Sequence, residues 1–224
     1  LQMITDGGGE RSHPHLRPGT DAVTFYKIGL NSHAKFASTA TTGRDWMSLF
    51  EVDGAVGTSD WTPDGEALVY GRATVQNSVY HYQDLYVWST DNESRTRLTT
   101  DERARDPAIS PDGERIAYVR VRPGTTDLVV CEFDTRSVRD CRVVVGGSLH
   151  DSDRDLHWQQ IATPTWGPEG ESIIFSWWRL DERRRDLWTL RPDAEGPDRL
   201  TRITDDVAQD TAPHVGPDGF LYWS

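Results

Sequence analysis

Bulky apolar residues recur along the chain at alternate positions on both sides of a short polar turn. One stands two positions before the proline of each turn, at Leu16, Trp61, Ile109, Trp166 and Val215. In the first four units, apolar residues also stand at the fifth and seventh positions after the proline: Val23 and Phe25, Leu68 and Tyr70, Ile116 and Tyr118, and Ile173 and Phe175. Because two residues is the period of a β-strand, this pattern predicts pairs of antiparallel strands that each bury one face.

The turns between these strands share a sequence of proline, an acidic residue and glycine. They are Pro63-Asp64-Gly65, Pro111-Asp112-Gly113, Pro168-Glu169-Gly170 and Pro217-Asp218-Gly219, with a variant at Pro18-Gly19. Proline presets φ, the acidic side chain can bond its own backbone, and glycine accepts the left-handed conformation. After Pro217 the bulky residues Leu221 and Trp223 come one position early, which predicts a last hairpin that is one residue shorter.

The spacing of the turns predicts the architecture. The turn prolines recur at intervals of 45 to 57 residues, close to the length of a four-stranded propeller blade. In three units an aspartate, at Asp84, Asp127 or Asp186, precedes an apolar pair and marks the start of a third strand. We therefore predict an all-β fold, a single β-propeller domain over 1–224. Its complete blades are predicted at 12–55, 56–101, 105–147 and 162–205, and segments 1–6 and 210–224 are expected to contribute to a closing blade of a longer chain.

The amino-acid composition fits a propeller and argues against some classes of partner. Nine Trp, seven Tyr and six Phe supply the large rigid side chains that pack between the sheets of a propeller. A net charge of −12 argues against nucleic acid and against anionic membrane surfaces as partners. No stretch approaches the roughly 18 to 20 apolar residues that a membrane span needs, so no membrane insertion is expected.

The two cysteines lie on neighbouring predicted strands, Cys131 near the end of one and Cys141 at the start of the next. A three-residue loop between these strands would set Asp134 opposite Val138 and Cys131 opposite Cys141. A cross-strand disulfide is then geometrically possible, and it would indicate an oxidising compartment. Two buried free thiols are the alternative.

The repeated units resemble the TolB-type propeller repeat over nearly the whole chain. The matching segments are Trp61 with Pro63-Asp64-Gly65, Asp84-Leu85-Tyr86-Val87, Leu98-Thr99, 107–118 and Leu200-Thr201. The first blade departs from the repeat, because Pro18-Gly19-Thr20 lacks the acidic turn residue and the strand around Phe36 lacks the Asp-Ile-Tyr element.

This resemblance implies a non-catalytic module that binds a protein or peptide at one rim of the propeller or in its channel, in the periplasm or another exported location. Similar propellers also serve as gating domains beside prolyl-oligopeptidase-like catalytic domains, and here such a domain would lie outside the chain. A propeller polysaccharide lyase that uses channel histidines is a third alternative. Because a fold does not by itself define a function, all three stay open here. We expect no cofactor.

One row of residues is the candidate binding site. Three positions before each turn proline stand His15, Asp60, Ala108, Thr165 and His214. The first strand of a propeller blade lines the channel, so His15, Asp60, Thr165 and His214 are predicted to face it. Two histidines and an aspartate could bind a metal or act as acid and base. Histidines that are merely hydrogen-bonded within a strand are the simpler alternative, so no metal ligand is predicted.

A long insertion at 146–162 carries other candidate chemistry. Asp151, Asp153 and Asp155 alternate as in the start of a calcium loop, but Leu156 and Ala162 stand where that loop needs glycine and glutamate. A solvated acidic loop is therefore predicted. The segment Gly146-Gly147-Ser148-Leu149-His150 lacks the final glycine of a hydrolase nucleophile elbow. No catalytic residue is predicted in this chain.

Overall fold

A computed structural model describes residues 10–28, 34–42, 46–52, 56–76, 80–146, 159–179 and 182–224 of the chain. These residues form β-strands and one 3-10 helix, and no α-helix occurs among them. In this part of the chain, no helix has the length and apolar character needed to cross a membrane. The segment 1–6, predicted to contribute to a closing blade, and most of the 146–162 insertion, predicted to be an acidic loop, lie outside the described residues.

The strands form five separate sheets in chain order. Sheet 1 contains β1 (Glu10–Arg17), β2 (Ala22–Ile28), β3 (Ala34–Ala40) and β4 (Trp46–Val52). Sheet 2 contains β5 (Val56–Trp61), β6 (Ala67–Gln76), β7 (Tyr80–Ser89) and β8 (Arg95–Arg97). Sheet 3 contains β9 (Ala104–Ile109), β10 (Arg115–Arg122), β11 (Thr125–Asp134) and β12 (Ser137–Val145). Sheet 4 contains β13 (Gln159–Trp166), β14 (Ile173–Arg179), β15 (Arg184–Leu190) and β16 (Leu200–Arg202), and the 3-10 helix Pro197–Arg199 directly precedes β16. Sheet 5 contains β17 (His214–Val215) and β18 (Leu221–Tyr222).

Each sheet pairs its strands in simple sequence order, and all the pairs are antiparallel. The first strands contact one another in succession, β1 with β5, β5 with β9, β9 with β13 and β13 with β17. The sheets are therefore arranged around a common axis with their first strands innermost. The predicted all-β propeller, with four complete blades and part of a fifth, is confirmed.

The repeated turn has the predicted geometry. Gly65 and Gly113 adopt left-handed φ values of 69° and 76°, which glycine takes without steric cost. The Asp64 carboxylate accepts the Glu66 N–H at 2.9 Å. In sheet 2 the hairpin pairs Trp61 with Leu68, whereas the last hairpin pairs Val215 with Leu221. The prediction that the last hairpin is one residue shorter is confirmed.

The core lies between successive sheets rather than within one of them. Its three clusters join sheets 1 and 2, sheets 2 and 3, and sheets 3 and 4. Indole groups connect the sheets, since Trp61 Nε1 donates to Thr24 Oγ1 at 3.2 Å and Trp166 Nε1 donates to the carbonyl of Ala108 at 3.0 Å. Leu16, predicted to be buried at the matching position, is instead 43% exposed. Leu16 lies on the first sheet and belongs to none of the three described clusters.

A buried carboxylate anchors the third strand of sheets 2, 3 and 4. Asp84, Asp127 and Asp186 are at most 2% exposed. Asp84 pairs with Arg97 at 2.6 Å and Asp186 with Arg202 at 2.5 Å. In sheet 3 the cations come from the second strand instead, with Arg120 Nη2 2.9 Å from Asp127. The aspartate that marks the strand start in the sequence is thus an internal ion-pair partner of its blade.

Cys131 and Cys141 form a disulfide across β11 and β12, with their Cα atoms 4.1 Å apart. The predicted loop register is wrong, because Asp134 pairs with Ser137 and not with Val138. A register shift follows in this hairpin, and Asp140 there has a φ of 48°. The extra residue of this bulge brings Cys141 back opposite Cys131.

Removing the disulfide is expected to lower the free energy of unfolding by about 2 kcal/mol, because the bond restricts the unfolded chain over a short loop. The loop spans a sequence separation of 10. Urea denaturation of the C131A/C141A variant, compared with the unmodified protein, measures the effect. Dithiothreitol should destabilise the unmodified protein and leave the variant unchanged. An equal response of both proteins to the reductant would contradict this assignment.

Candidate functional site

The row of residues three positions before the turn prolines lies around one cavity. His15 is on β1, Asp60 on β5, Ala108 on β9, Thr165 on β13 and His214 on β17, and all five line a central cavity of about 410 Å³. The first strand of every sheet therefore contributes one residue of this row. We refer to this space as the central cavity. The role of its residues in binding stays a prediction.

A repeated backbone bulge shapes the wall of the central cavity. The residue five positions before the turn proline has a left-handed φ between 48° and 54° and is followed by proline in four blades: His13-Pro14, Asp106-Pro107, Thr163-Pro164 and Ala212-Pro213. The register of β1, β9 and β13 shifts at this point. Such backbone strain in residues other than glycine often occurs at functional sites. The recurring proline inside a predicted strand is the sequence signal for this bulge.

Two carboxylates tie neighbouring first strands together. Asp60 Oδ2 accepts the N–H of Ile109 at 2.7 Å. Asp106 Oδ2 accepts the N–H of Thr163 at 3.2 Å, while its Oδ1 accepts the Thr58 hydroxyl at 3.0 Å. Each bond joins one blade to another, so the wall of the central cavity is held by contacts across three sheets. Sequence reasoning did not single out Asp106, because its partners lie on other blades.

His15, Asp60 and His214 form a polar group on one side of the central cavity. His15 Nε2 lies 3.1 Å from Asp60 Oδ1. The ring centroids of His15 and His214 are 5.6 Å apart with the rings nearly perpendicular. The predicted candidates on the first and last inner strands are therefore neighbours in space.

Burial shifts the pKa values of Asp60 and His214 in opposite directions. Burial raises the pKa of Asp60, although the nearby His15 and the Ile109 N–H oppose the shift. Burial also lowers the pKa of His214, the neighbouring His15 adds to that decrease, and the Asp60 charge opposes it. The lowered pKa favours the neutral imidazole form of His214, which can donate one hydrogen bond and accept another.

The structure gives less information on the metal and catalytic sites considered from the sequence. Within the described residues, no group of three or more His, Cys, Asp or Glu side chains is arranged to hold a metal ion. Asp151, Asp153, Asp155 and the segment 147–150 lie outside the described residues. The central cavity is therefore the one predicted site for which the structure gives side-chain geometry.

The fold has several solved relatives. No family model matches the sequence, and neither does any curated protein. A protein assigned as TolB from Agrobacterium tumefaciens is 17% identical with a TM-score of 0.70, and the match covers 96% of this chain and 69% of that one. TolB from Acinetobacter baumannii is 15% identical with a TM-score of 0.66, and the match covers 94% and 47%. A structure from a study of two prolyl endopeptidases is 14% identical with a TM-score of 0.58, covering 94% and 32%.

These likenesses show the fold alone, which is a TolB-like β-propeller. The chain spans 69% of the first TolB structure and 47% of the second. Since the same fold also occurs in the prolyl endopeptidase structure, function has to be argued from the cavity and its residues.

Proposed function

We propose that this propeller is a non-catalytic binding module whose central cavity accepts an extended segment of a protein or peptide. The observation that carries the proposal is the convergence of one residue from each of five first strands on a single cavity. Its volume of about 410 Å³ falls in the range of roughly 300–1,000 Å³ typical of ligand pockets. The rigid strands supply the frame, and the residues of the row supply the contacts.

The chemistry of the cavity suits a peptide. Prolines such as Pro107, Pro164 and Pro213 give its wall apolar surface. Asp60 offers a carboxylate that is 20% exposed, and neutral His214 can both donate and accept. A peptide backbone alternates N–H donors with carbonyl acceptors, so these groups complement it without needing a charged ligand.

The arrangement of the histidines supports binding rather than nucleophilic catalysis. His15 Nδ1 contacts the carbonyl of Leu16 at 3.2 Å, and its Nε2 faces Asp60. Within the described residues, neither His15 nor His214 hydrogen-bonds a hydroxyl group. His13 contacts the hydroxyl of the adjacent Ser12 at 3.1 Å, but Ser12 does not line the cavity. An activated serine or threonine needs such a bond to its general base.

The disulfide supports an exported location for the module. Cys131 and Cys141 are bonded, and such bonds persist in oxidising compartments such as the periplasm. A protein or peptide of the cell envelope is accordingly the class of ligand we propose.

A peptide selection tests the proposal. A random dodecapeptide library displayed on phage is selected on the immobilised protein, and the enriched peptides are titrated by calorimetry. Asp60→Asn is expected to weaken binding by about ten-fold, equal to about 1.4 kcal/mol, because the charge is lost while an oxygen remains to accept the Ile109 N–H.

Asp91→Asn is the matched control, since it removes the same charge from an exposed turn and should leave the dissociation constant unchanged. Equal affinities for the two variants would mean that the peptide binds at a rim and not in the cavity. Failure to enrich any dodecapeptide would contradict peptide binding itself.

A gating role beside a hydrolase is the second candidate, favoured by the fold shared with the prolyl endopeptidase structure over 94% of this chain. In that case the central cavity would be a passage for the peptide. A catalytic domain encoded next to this segment in the full-length protein would support the gating role, and cleavage of the selected dodecapeptides by the full-length protein would test it.

A further inference from the structure

A second cavity of about 400 Å³ adjoins the central cavity and shares His13 and Thr58 with it. Arg103 and Arg105 line it, together with Tyr82 and other residues of sheets 2 and 3. We call it the arginine cavity. Because Arg103 precedes β9 and Tyr82 lies on β7, two successive blades build its wall.

The Arg103 side chain is positioned by an aromatic ring and not by an ion pair. Its guanidinium carbon lies 3.8 Å from the centroid of the Tyr82 ring, a cation–π contact that positions the group. Among the described residues, no Asp or Glu oxygen lies within ion-pair distance of Arg103. The N–H donors that would form a fork with a carboxylate therefore remain available.

Arg105 is also poorly neutralised. Its Nε is 4.0 Å from Asp106 Oδ2, and that carboxylate already accepts bonds from Thr58 and Thr163. The Nε atom itself is buried without a hydrogen-bond partner.

A third arginine, Arg185, adds positive charge close to Arg105. Arg185 donates to the carbonyl of Gln160 at 3.3 Å and to Ser176 Oγ at 3.1 Å. Burial and the neighbouring charge of Arg105 lower the pKa of Arg185. The Arg105 and Arg185 guanidinium groups thus share the single carboxylate of Asp106, which also lines the arginine cavity.

Arg103 differs from several other arginines of this acidic chain in having no carboxylate partner among the described residues. The net charge is −12, and elsewhere Arg97, Arg120 and Arg202 each meet a buried aspartate. Partly buried cations without anions are destabilising unless a ligand neutralises them. An anion in the arginine cavity would supply the missing charge.

We propose that the arginine cavity binds a carboxylate of the peptide that occupies the central cavity. This inference rests on the proposed function, because the two cavities share His13 and Thr58 and one extended ligand can reach both. The carboxylate is either the α-carboxylate at the C-terminus of the peptide or the side chain of an aspartate or glutamate. It is the anionic group that an unmodified peptide carries, and its two oxygens match the guanidinium fork.

Small probes test the charge recognition directly. N-acetyl-alanyl-alanine as the free acid, its C-terminal amide, and N-acetyl-aspartyl amide are titrated against the protein, and the Nε–H signals of its arginines are followed by NMR. At least one carboxylate probe is expected to bind ten-fold or more tightly than the uncharged amide. The acid that binds identifies the source of the carboxylate, a chain terminus or a side chain.

Arg103→Gln/Arg105→Gln is expected to abolish this preference. The matched control is Arg136→Gln/Arg191→Gln, which removes the same charge from exposed positions and should preserve it. If the Arg103→Gln/Arg105→Gln variant does not fold, the acid and amide probes still test the inference on the unmodified protein. Equal binding of acid and amide, or binding of inorganic phosphate with no response to either acid, would overturn the inference.

The selected dodecapeptides separate this inference from the proposed function. If Asp60→Asn weakens their binding while acid and amide probes bind equally, the central cavity is the peptide site and the arginine cavity is not a carboxylate site. If the acids bind with the expected preference while no dodecapeptide is enriched, the anion site exists and the proposed peptide function is wrong.

Discussion

Replacing Trp61 with alanine is expected to lower the free energy of unfolding by about 3–5 kcal/mol, the usual cost of truncating a buried aromatic side chain. Trp61 is 3% exposed. Its indole packs in the cluster between sheets 1 and 2, with the Trp88 ring 6.3 Å away, and its Nε1 donates to Thr24. The truncation therefore leaves a void between two blades and removes a hydrogen bond that joins them.

Phe220→Ala provides the control for this experiment. Phe220 is also aromatic but is 68% exposed, so its removal should change stability by no more than about 0.5 kcal/mol. Urea denaturation followed by tryptophan fluorescence and by circular dichroism measures both variants. A destabilisation by Trp61→Ala as small as that expected for Phe220→Ala would mean that the interface between sheets 1 and 2 contributes little to stability.

The second large effect is expected for Asp84→Ala, at about 3 kcal/mol, the lower end of the range for breaking a buried ion pair. Asp84 is fully buried, and its carboxylate accepts bonds from Arg97 at 2.6 Å and Thr99 at 3.0 Å. It also accepts the backbone N–H groups of Asp101 and Glu102. The Arg97 side chain is 32% exposed, so water can solvate part of the charge that is left behind.

Asp91→Ala removes the same side chain from an exposed turn and should be nearly neutral. Asp84→Asn gives a further test, because the amide keeps the shape and one acceptor oxygen but loses the charge. Its stability is expected to lie between those of the unmodified protein and Asp84→Ala. A melting temperature for Asp84→Ala that matches the Asp91→Ala value would contradict the role assigned to this ion pair.

Local signals in the sequence accounted for the blades. The turn from Pro63 to Gly65 requires its residue types for conformational reasons that act within a few residues. Alternation of apolar positions then set the hairpin register, and the early position of Leu221 correctly predicted the shorter last hairpin. Alignment on the turns also identified His15 and His214 as equivalent positions, and both line the central cavity.

The sequence was less informative where a contact depends on another blade. Leu16 has the same local pattern as Trp61, yet one is exposed and the other buried, because burial depends on which sheet packs against the strand. The loop register near Asp134 was wrong because a bulge at Asp140 inserts a residue that no hydrophobic pattern reports.

The candidate site, too, could be predicted from the sequence only in part. The row of channel residues follows from periodicity alone, since equivalent positions of a repeat lie at equivalent places around an axis. The pairing of His15 with Asp60 and the assembly of Arg103 and Arg105 beside Tyr82 required the structure. These side chains come from different strands, and their distances depend on how the blades pack.

The sequence by itself determined the blade, its turns and the positions that face the axis, because strand period and turn conformation are properties of short segments. Only the tertiary structure decided which carboxylates are neutralised, how the inner strands bulge, and that Arg103 lies on Tyr82 without a carboxylate partner in the described part of the chain. Those features arise from contacts between residues far apart in the chain, and their energies depend on burial and distance. The scaffold could be predicted from the repeat, whereas the charge of the candidate binding surface could be assigned only after the blades were packed together.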